Sequence, residues 1–254
     1  FNIKKIIYIL LLLVIFIPYF LLTSHHDDFY YYHLPYLNVL EHSKIIFGLA
    51  NLNTVLTYPQ NLWFDIFALF KLPFIKYNGL QSLNGIFTLF FIVYCVENFI
   101  KSEKIIIKII SILYIIFTIS LFSRLRDHGA EIIPQLLMLM SYFNIMKIWI
   151  NKDNFKSTYL INIIVFFTLA FLLRLSSIII IPLVTIIFIQ NNKYIYEILK
   201  KIKLVSLILL IISVVVIKNL ITSGCLVYPI SKTCLNQNIV PWSIDKEIPK
   251  INEN

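Results

Sequence analysis

The chain has 254 residues, of which 59% are hydrophobic and 14% charged, and its formal net charge at pH 7 is +9. Several uncharged runs of about 15 to 22 residues are long enough to cross a hydrocarbon core about 30 Å thick. The composition therefore predicts an all-α protein, a polytopic bundle of membrane helices whose partner is the lipid bilayer. It argues against nucleic acid as a partner, because the lysines lie in short connectors where they orient membrane helices.

In chain order, about seven spans are predicted, at residues 6–22, 79–100, 105–122, 132–150, 159–173, 176–189 and 204–222. The segment 61–75 is shorter and contains Asp65, Lys71 and Pro73, which favours an interfacial or re-entrant helix over a span. Residues 1–222 then form one transmembrane domain with an outer loop at 23–78. Residues 223–254 are expected to begin an outer segment that is truncated.

The lysines test whether segment 61–75 crosses the membrane. If it does not cross, the lysine-rich connectors all share one side with the N-terminus, which the positive-inside rule makes cytoplasmic, as in a bacterial inner membrane. If it does cross, every later connector is inverted and the lysines face outward. The non-crossing topology is therefore predicted. Its cytoplasmic lysines are Lys4, Lys5, Lys101, Lys104, Lys108, Lys147, Lys152, Lys156, Lys193, Lys200, Lys201 and Lys203.

This topology gathers acids and arginines on the outer side. The first loop carries Asp27 and Asp28, and the second loop carries Asp127 and Glu131. Carboxylates and anion-binding arginines that converge on one side are typical of a site for a substrate in the outer leaflet. The candidate phosphate-binding residues are Arg124, Arg126 and Arg174.

The first outer loop opens with the sequence TSHHDDFYYYHLP. Acids at the edge of a bilayer are costly to desolvate and are candidate functional groups, although a solvated loop that only ends the helix is the alternative. His25, His26 and Asp28 offer nitrogen and oxygen ligands for a divalent metal such as zinc or manganese, but their spacing defines no coordination geometry. Tyr32 and His33 are candidates for substrate contact, and anchoring at the membrane interface is the alternative for the tyrosines.

An interfacial helix is predicted after these residues. Pro35 suits a first helical turn, and Gly48 is expected to stop the helix. Tyr36, Val39 and Phe47 supply part of its apolar side.

The loop sequences HDDFYYYHLP and DHGAE, with the interfacial segment GLANLNTVLTYPQNLWFDIFALFKLP between them, resemble the N-terminal half of the GT-C membrane glycosyltransferases. That superfamily includes oligosaccharyltransferases, protein O-mannosyltransferases and the lipid A aminoarabinose transferase. The resemblance implies transfer of a sugar from a polyprenyl-phosphate donor to a glycan, lipid or protein acceptor, with no cofactor beyond a divalent metal in some members.

The resemblance also implies residue roles. A first-loop acid, Asp27 or Asp28, would be the catalytic base, and a second-loop acid, Asp127 or Glu131, would assist it. The segment FLLRLSSIIIIP resembles the place where such enzymes carry a basic residue for the lipid phosphate, although Arg-Leu-Ser stands here where Lys-Gly-Pro is more familiar. Asp28 is preferred to Asp27 because the Phe-Tyr-Tyr-Tyr run after it can shield it from water.

The chemistry fits these residue types without the resemblance. A single displacement needs a carboxylate for the proton and cations for the leaving phosphate, and it inverts the anomeric centre without a covalent enzyme intermediate. Two other classes stay open, a lipid-linked sugar flippase or other transporter, and a noncatalytic membrane scaffold. A transporter would more often show internal repeats and essential charges at depth, and no repeat is visible.

The three cysteines carry separate predictions. Cys95 lies within a predicted span and is expected to be a packing residue. Cys225 and Cys234 lie in the outer tail, where they either form a disulfide or remain two free thiols. Nucleotide-binding P-loop, GxGxxG, HExxH and CxxC motifs are absent from the sequence.

Overall fold

The structure is a computed structural model that describes residues 34–43, 46–58, 82–121, 131–150, 157–191 and 200–244, and the single positions 14, 30, 31, 62 and 194. These residues are predominantly helical and contain no β-strand, so the prediction of an all-α bundle is confirmed for the described part of the chain. The predicted spans at 79–100, 105–122, 132–150, 159–173, 176–189 and 204–222 correspond to helices. The first span lies outside the described residues apart from Val14, and segment 61–75 does so apart from Leu62.

Seven α-helices are described, α1 (Leu34–His42), α2 (Ser82–Lys101), α3 (Ile105–Ser120), α4 (Ile132–Ile150), α5 (Ser157–Leu173), α6 (Ile181–Gln190) and α7 (Ile202–Ser223). Short 3-10 segments lie at Leu49–Asn51, Thr54–Thr57, Leu175–Ile180 and Ser231–Thr233. Among the described residues, three helices are long and apolar enough to cross a membrane, over Asn84–Lys101, Ile132–Ile150 and Ile202–Ser223. The other apolar helices, α3, α5 and the 175–190 segment, are shorter.

Buried hydroxyl groups in the apolar helices bond to their own helix. Ser111 donates to the Ile107 carbonyl at 2.8 Å, Thr88 to the Asn84 carbonyl at 2.8 Å and Ser141 to the Leu137 carbonyl at 3.1 Å. An unsatisfied polar group is costly in hydrocarbon, and a bond to the carbonyl one turn back removes that cost within a single helix. These helices therefore tolerate serine and threonine in otherwise apolar sequences.

Two clusters of buried side chains fix the direction of the helices. The first includes α7 through Val215 and joins the start of α4 to the end of α5, through Ile132, Ile133, Ala170 and Leu173. The second joins the end of α4 to the start of α5 and includes Ile187 of α6 and Leu204 of α7, with Ile145, Ile148, Leu160 and Ile163. Consequently α5 and α7 run parallel to each other, and α4 and α6 run in the opposite direction.

The two ends of the bundle differ in character. We call one the lysine end, because the connectors and helix termini there carry Lys101, Lys104, Lys147, Lys200 and Lys203. We call the other the capped end; it holds the start of α4, the end of α5 and the end of α7. Residues 46–58 and 224–244 pack over it, and we call these two segments the cap. The predicted grouping of the first outer loop with the tail is therefore seen in the described parts of both.

The cap is joined to α7 through the last carbonyl groups of that helix, which have no partner within the helix itself. The Gly48 amide donates to the Ile221 carbonyl at 2.9 Å, and the Ile244 amide donates to the Ser223 carbonyl at 2.9 Å. The Trp242 indole donates to the Leu220 carbonyl at 3.0 Å. The end of α7 is thus completed by two distant parts of the chain.

The two parts of the cap also bind each other. The Asn51 amide donates to the Trp242 carbonyl at 2.8 Å, and the Phe47 and Trp242 rings meet edge to face at 4.9 Å between centroids. Cys225 and Cys234 form a disulfide, which decides between the two predicted states of this pair. One cluster of buried side chains within the cap consists of Ala50, Cys225, Tyr228, Cys234 and Ile244.

The prediction for the first-loop helix needs a correction at its end. Helix α1 begins beside Pro35, as predicted, but it ends at His42 and not at Gly48. Gly48 instead has a φ of 68° and precedes the 3-10 segment, where a β-carbon would lie 2.9 Å from the Trp242 Cβ. This position therefore needs glycine for its contact with the tail.

Candidate functional site

Two of the predicted site residues, Glu131 and Arg174, lie in the described part of the chain. The catalytic candidates Asp27 and Asp28, the metal candidates His25 and His26, and the candidates Tyr32, His33, Arg124, Arg126 and Asp127 lie outside the described residues. Within the described residues, no group of three His, Cys, Asp or Glu side chains could hold a metal ion.

Arg174 lies at a sharp break between two helices. Helix α5 ends at Leu173, and Arg174 itself is extended, with φ −150° and ψ 113°. Its amide still donates to the Ala170 carbonyl at 2.9 Å, while the Ser177 amide bonds to the Arg174 carbonyl at 3.0 Å. The break keeps Arg174 at the capped end, where its side chain is about one third exposed, at 36%. A single continuous helix would have placed it inside the membrane.

Ser177 stabilises this break, and its role was not predicted from the sequence. Its side chain is fully buried, and its hydroxyl donates to the Ala170 carbonyl at 3.2 Å, across the turn. The Ala170 carbonyl therefore accepts bonds from both sides of the break. Sequence reasoning noted the Arg-Leu-Ser run only as a departure from a familiar pattern, and the serine pair in it was the available signal.

Glu131 lies directly before α4 and forms an ion pair with Arg174. The Arg174 Nη1 atom is 3.6 Å from the Glu131 Oε2 atom, and the Glu131 side chain is 59% exposed. A carboxylate in this position is also favoured by the positive end of the helix dipole. Exposed ion pairs of this kind contribute only about 0 to 1 kcal/mol to the free energy of folding.

Among the described residues, the ion pair occupies only the Nη1 end of the guanidinium. Strong charge-assisted hydrogen bonds are about 2.7 to 2.9 Å long, and arginine has five donors in a planar fork. At 3.6 Å, the contact with Glu131 is an ion pair that is longer than such a bond. The arrangement can hold an anion such as a phosphate beside a carboxylate that lies within the same site.

A second set of polar side chains lies at the lysine end, around Lys147, which the sequence analysis used only to predict the topology. The Asn144 amide donates to the Tyr94 hydroxyl at 2.9 Å and to the Met140 carbonyl at 2.7 Å. The Lys147 ammonium donates to the Asn98 side-chain oxygen. The signal in the sequence was the pair of polar residues, Asn144 and Lys147, three positions apart in an apolar run.

The described part of the chain is an all-α bundle in which three helices are long and apolar enough to cross a bilayer, which defines a helical membrane protein. Cys95 is a free, fully buried cysteine in its main core, as predicted. The chain belongs to the family described as a domain of unknown function (DUF8201), whose model matches residues 1–254. No curated protein and no solved structure matches the chain.

Proposed function

We propose that the protein is an inverting membrane glycosyltransferase that moves a sugar from a polyprenyl-phosphate donor to an acceptor at the capped end. The observation that carries the proposal is the 3.6 Å contact between Arg174 and Glu131. These residues come from two separate loops, and the GT-C resemblance assigns a phosphate-binding role to one and an assisting role to the other. Their contact at one end of the bundle is the arrangement that such a site requires.

In this reaction the acceptor oxygen or nitrogen attacks the anomeric carbon while the bond from that carbon to the phosphate oxygen breaks. The phosphate leaves with the bonding electron pair, and Arg174 stabilises its charge through the donors that Glu131 leaves available. A carboxylate accepts the proton of the acceptor, a role that we assign to Asp28, with Glu131 assisting. Displacement in one step inverts the anomeric centre.

The proposed orientation places the capped end outside and the lysine end in the cytoplasm, with the N-terminus also cytoplasmic, as in a bacterial inner membrane. Two independent features support it. Lysines are concentrated on the cytoplasmic side of membrane proteins. The Cys225–Cys234 disulfide lies in the cap, and disulfides persist in oxidising compartments.

The main alternatives are a lipid-linked sugar transporter and a noncatalytic scaffold. A transporter places its essential charges near the midplane of the bilayer. Three lysines of the described helices lie within apolar runs, three to five residues from a helix end: Lys108 in α3, Lys147 in α4 and Lys218 in α7. At 1.5 Å per residue these separations are about 5 to 8 Å along the helix axis. Positions this close to the helix ends favour the enzyme over the transporter.

The decisive experiment uses the full-length protein in liposomes with a panel of labelled polyprenyl-phosphate sugars. We expect transfer of label to an acceptor, and Asp28→Asn should lower turnover by about a hundredfold or more, the scale for losing a general base. Glu103→Gln, a change of an exposed acid at the lysine end, is the matched control and should keep full activity. An equal loss of turnover in Asp27→Asn would not decide which of the two acids is the base. Full activity in both variants would exclude this site.

A further inference from the structure

We propose that the lysine end of the bundle binds the phosphate group of an anionic membrane lipid, with Lys147 as the central contact. This inference is independent of the proposed transferase activity, because it concerns the end of the bundle opposite Glu131 and Arg174. The site is formed by α2, α4 and α5, and its ligand would come from the surrounding bilayer.

The Lys147 ammonium lies in a cage of aromatic rings. Its Nζ atom is 4.9 Å from the centroid of the Phe143 ring, 5.4 Å from that of Tyr94 and 5.5 Å from that of Tyr159. Asn98 accepts a hydrogen bond from the same ammonium and is held by its own bond to the Tyr94 carbonyl at 2.6 Å. Three helices therefore fix one partly exposed positive charge in place.

This charge has no carboxylate partner among the described residues. Glu97, an acid on the neighbouring helix α2, forms an ion pair with Lys101 at 2.9 Å. The aromatic faces reduce the cost of placing an ammonium here, but they offer no lone pairs. An ammonium has three donors, and Asn98 uses one of them. An anion with several acceptor oxygens would satisfy the other two.

The depth of Lys147 indicates where that anion would come from. Trp149 is partly exposed two residues later, and Tyr159 lies in the first turns of α5. Tryptophan and tyrosine mark the headgroup level of a bilayer, and lipid phosphates lie at the same level. Exposed Lys101 and Lys104 add positive charge at this end. Basic pockets between membrane helices are a known way to bind anionic headgroups.

The test compares lipid binding by the whole chain in nanodiscs of phosphatidylcholine with and without phosphatidylglycerol. Native mass spectrometry should find phosphatidylglycerol retained by the wild type, and Lys147→Gln should weaken retention about fivefold, the factor expected for one lysine contact with an anionic lipid. Lys200→Gln, a change of an exposed lysine at the same end, is the control and should retain the lipid.

Three results would overturn the proposal. The first is unchanged retention of phosphatidylglycerol in Lys147→Gln. The second is equal loss in Lys147→Gln and Lys200→Gln, which would indicate general surface charge. The third is a rise of the thermal midpoint with inorganic phosphate in phosphatidylcholine discs that equals the rise with phosphatidylglycerol, which would indicate a site for free phosphate.

A second variant decides the matter if Lys147→Gln does not fold. Asn98→Asp keeps the ammonium and gives it a carboxylate at the oxygen it already bonds, at the expense of the Asn98 bond to the Tyr94 carbonyl. Because the charge is then neutralised within the protein, retention of phosphatidylglycerol should fall while the protein still melts cooperatively in phosphatidylcholine. Undiminished retention in Asn98→Asp would overturn the proposal.

Discussion

Gly224 packs so closely against Ser243 that a β-carbon on the glycine would lie 2.4 Å from the Ser243 Cα atom. The glycine has a φ of 74°, in the left-handed region, and its amide donates to the Leu220 carbonyl at 2.9 Å. It therefore ends α7 and also brings the tail back over that helix. This position is one of the links between α7, the longest of the described helices, and the cap.

Gly224→Ala should destabilise the protein by about 2 kcal/mol or more, because the left-handed conformation alone costs a side chain roughly 1 to 2 kcal/mol. The added methyl group also meets backbone that cannot rotate away. The measurement is the thermal midpoint in detergent, compared with Asn238→Ala, which alters an exposed side chain of the same tail. Equal midpoints for the two variants would show that the tail does not pack over α7.

The disulfide should add stability because it closes a loop between residues nine positions apart. Replacing Cys225 and Cys234 together by serine should lower the free energy of unfolding by about 2 to 3 kcal/mol on the chain-entropy estimate. A reducing agent should lower the thermal midpoint of the wild type and leave that of the double variant unchanged. A wild type insensitive to reductant would contradict the role of this bond.

A polar contact between two helices should be measurable as a coupling free energy between its two side chains. Asn144 on α4 donates to the Tyr94 hydroxyl on α2, so a double-mutant cycle with Tyr94→Phe and Asn144→Ala isolates the bond. We expect a coupling energy of about 0.6 kcal/mol and no more than about 1.7, the range for hydrogen bonds between membrane helices. Additive effects would mean that the two side chains do not interact.

Local patterns account for what the sequence predicted well. The largely apolar run that predicted α4 has the bounds Ile132–Ile150 in the structure, because a run of apolar residues and the hydrogen bonds of a helix are both local properties. A break at Arg174 was predicted between the two apolar runs that flank it, and one continuous helix over residues 159–189 was the alternative that the sequence left open. The existence and position of the helices followed from such runs.

Long-range contacts account for what the sequence did not reveal. Asn51 bonds to the Trp242 carbonyl across 191 positions, and no local pattern marks such a pair. Gly48 was expected to stop a helix because glycine often does, but its conformation serves the contact with Trp242. The aromatic rings around Lys147 likewise come from three helices. The sequence of any one of these helices does not indicate that they meet.

The proposed orientation can be tested by replacing single lysines with cysteine and labelling intact cells with a membrane-impermeant maleimide. The background should be low, because Cys95 is buried and the other two cysteines are bonded. Lys232→Cys, in the cap, should react from outside, and Lys104→Cys, at the lysine end, should react only after the membrane is permeabilised. The reverse pattern would mean that the whole chain is inverted, because the contacts of Phe47 and Asn51 with Trp242 keep the two parts of the cap on one side of the bilayer.

The last prediction separates the two roles open to the Arg174–Glu131 pair. Arg174→Lys keeps the charge but loses the planar fork, so a phosphate-binding role predicts a raised apparent KM for the donor with the fold intact. Glu131→Gln removes the anion that competes for Arg174. If Glu131 only pairs with Arg174, donor KM should fall with kcat unchanged, whereas an assisting role in proton transfer should lower kcat.

A structural role for the pair predicts a different pattern. Arg174→Lys, Arg174→Gln and Glu131→Gln would then leave donor affinity unchanged and lower the thermal midpoint in detergent. The decrease would be small, because an exposed pair at 3.6 Å contributes about 1 kcal/mol at most. Donor affinity and thermal midpoint, measured on the same three variants, therefore distinguish a phosphate site from a structural ion pair at the end of α5.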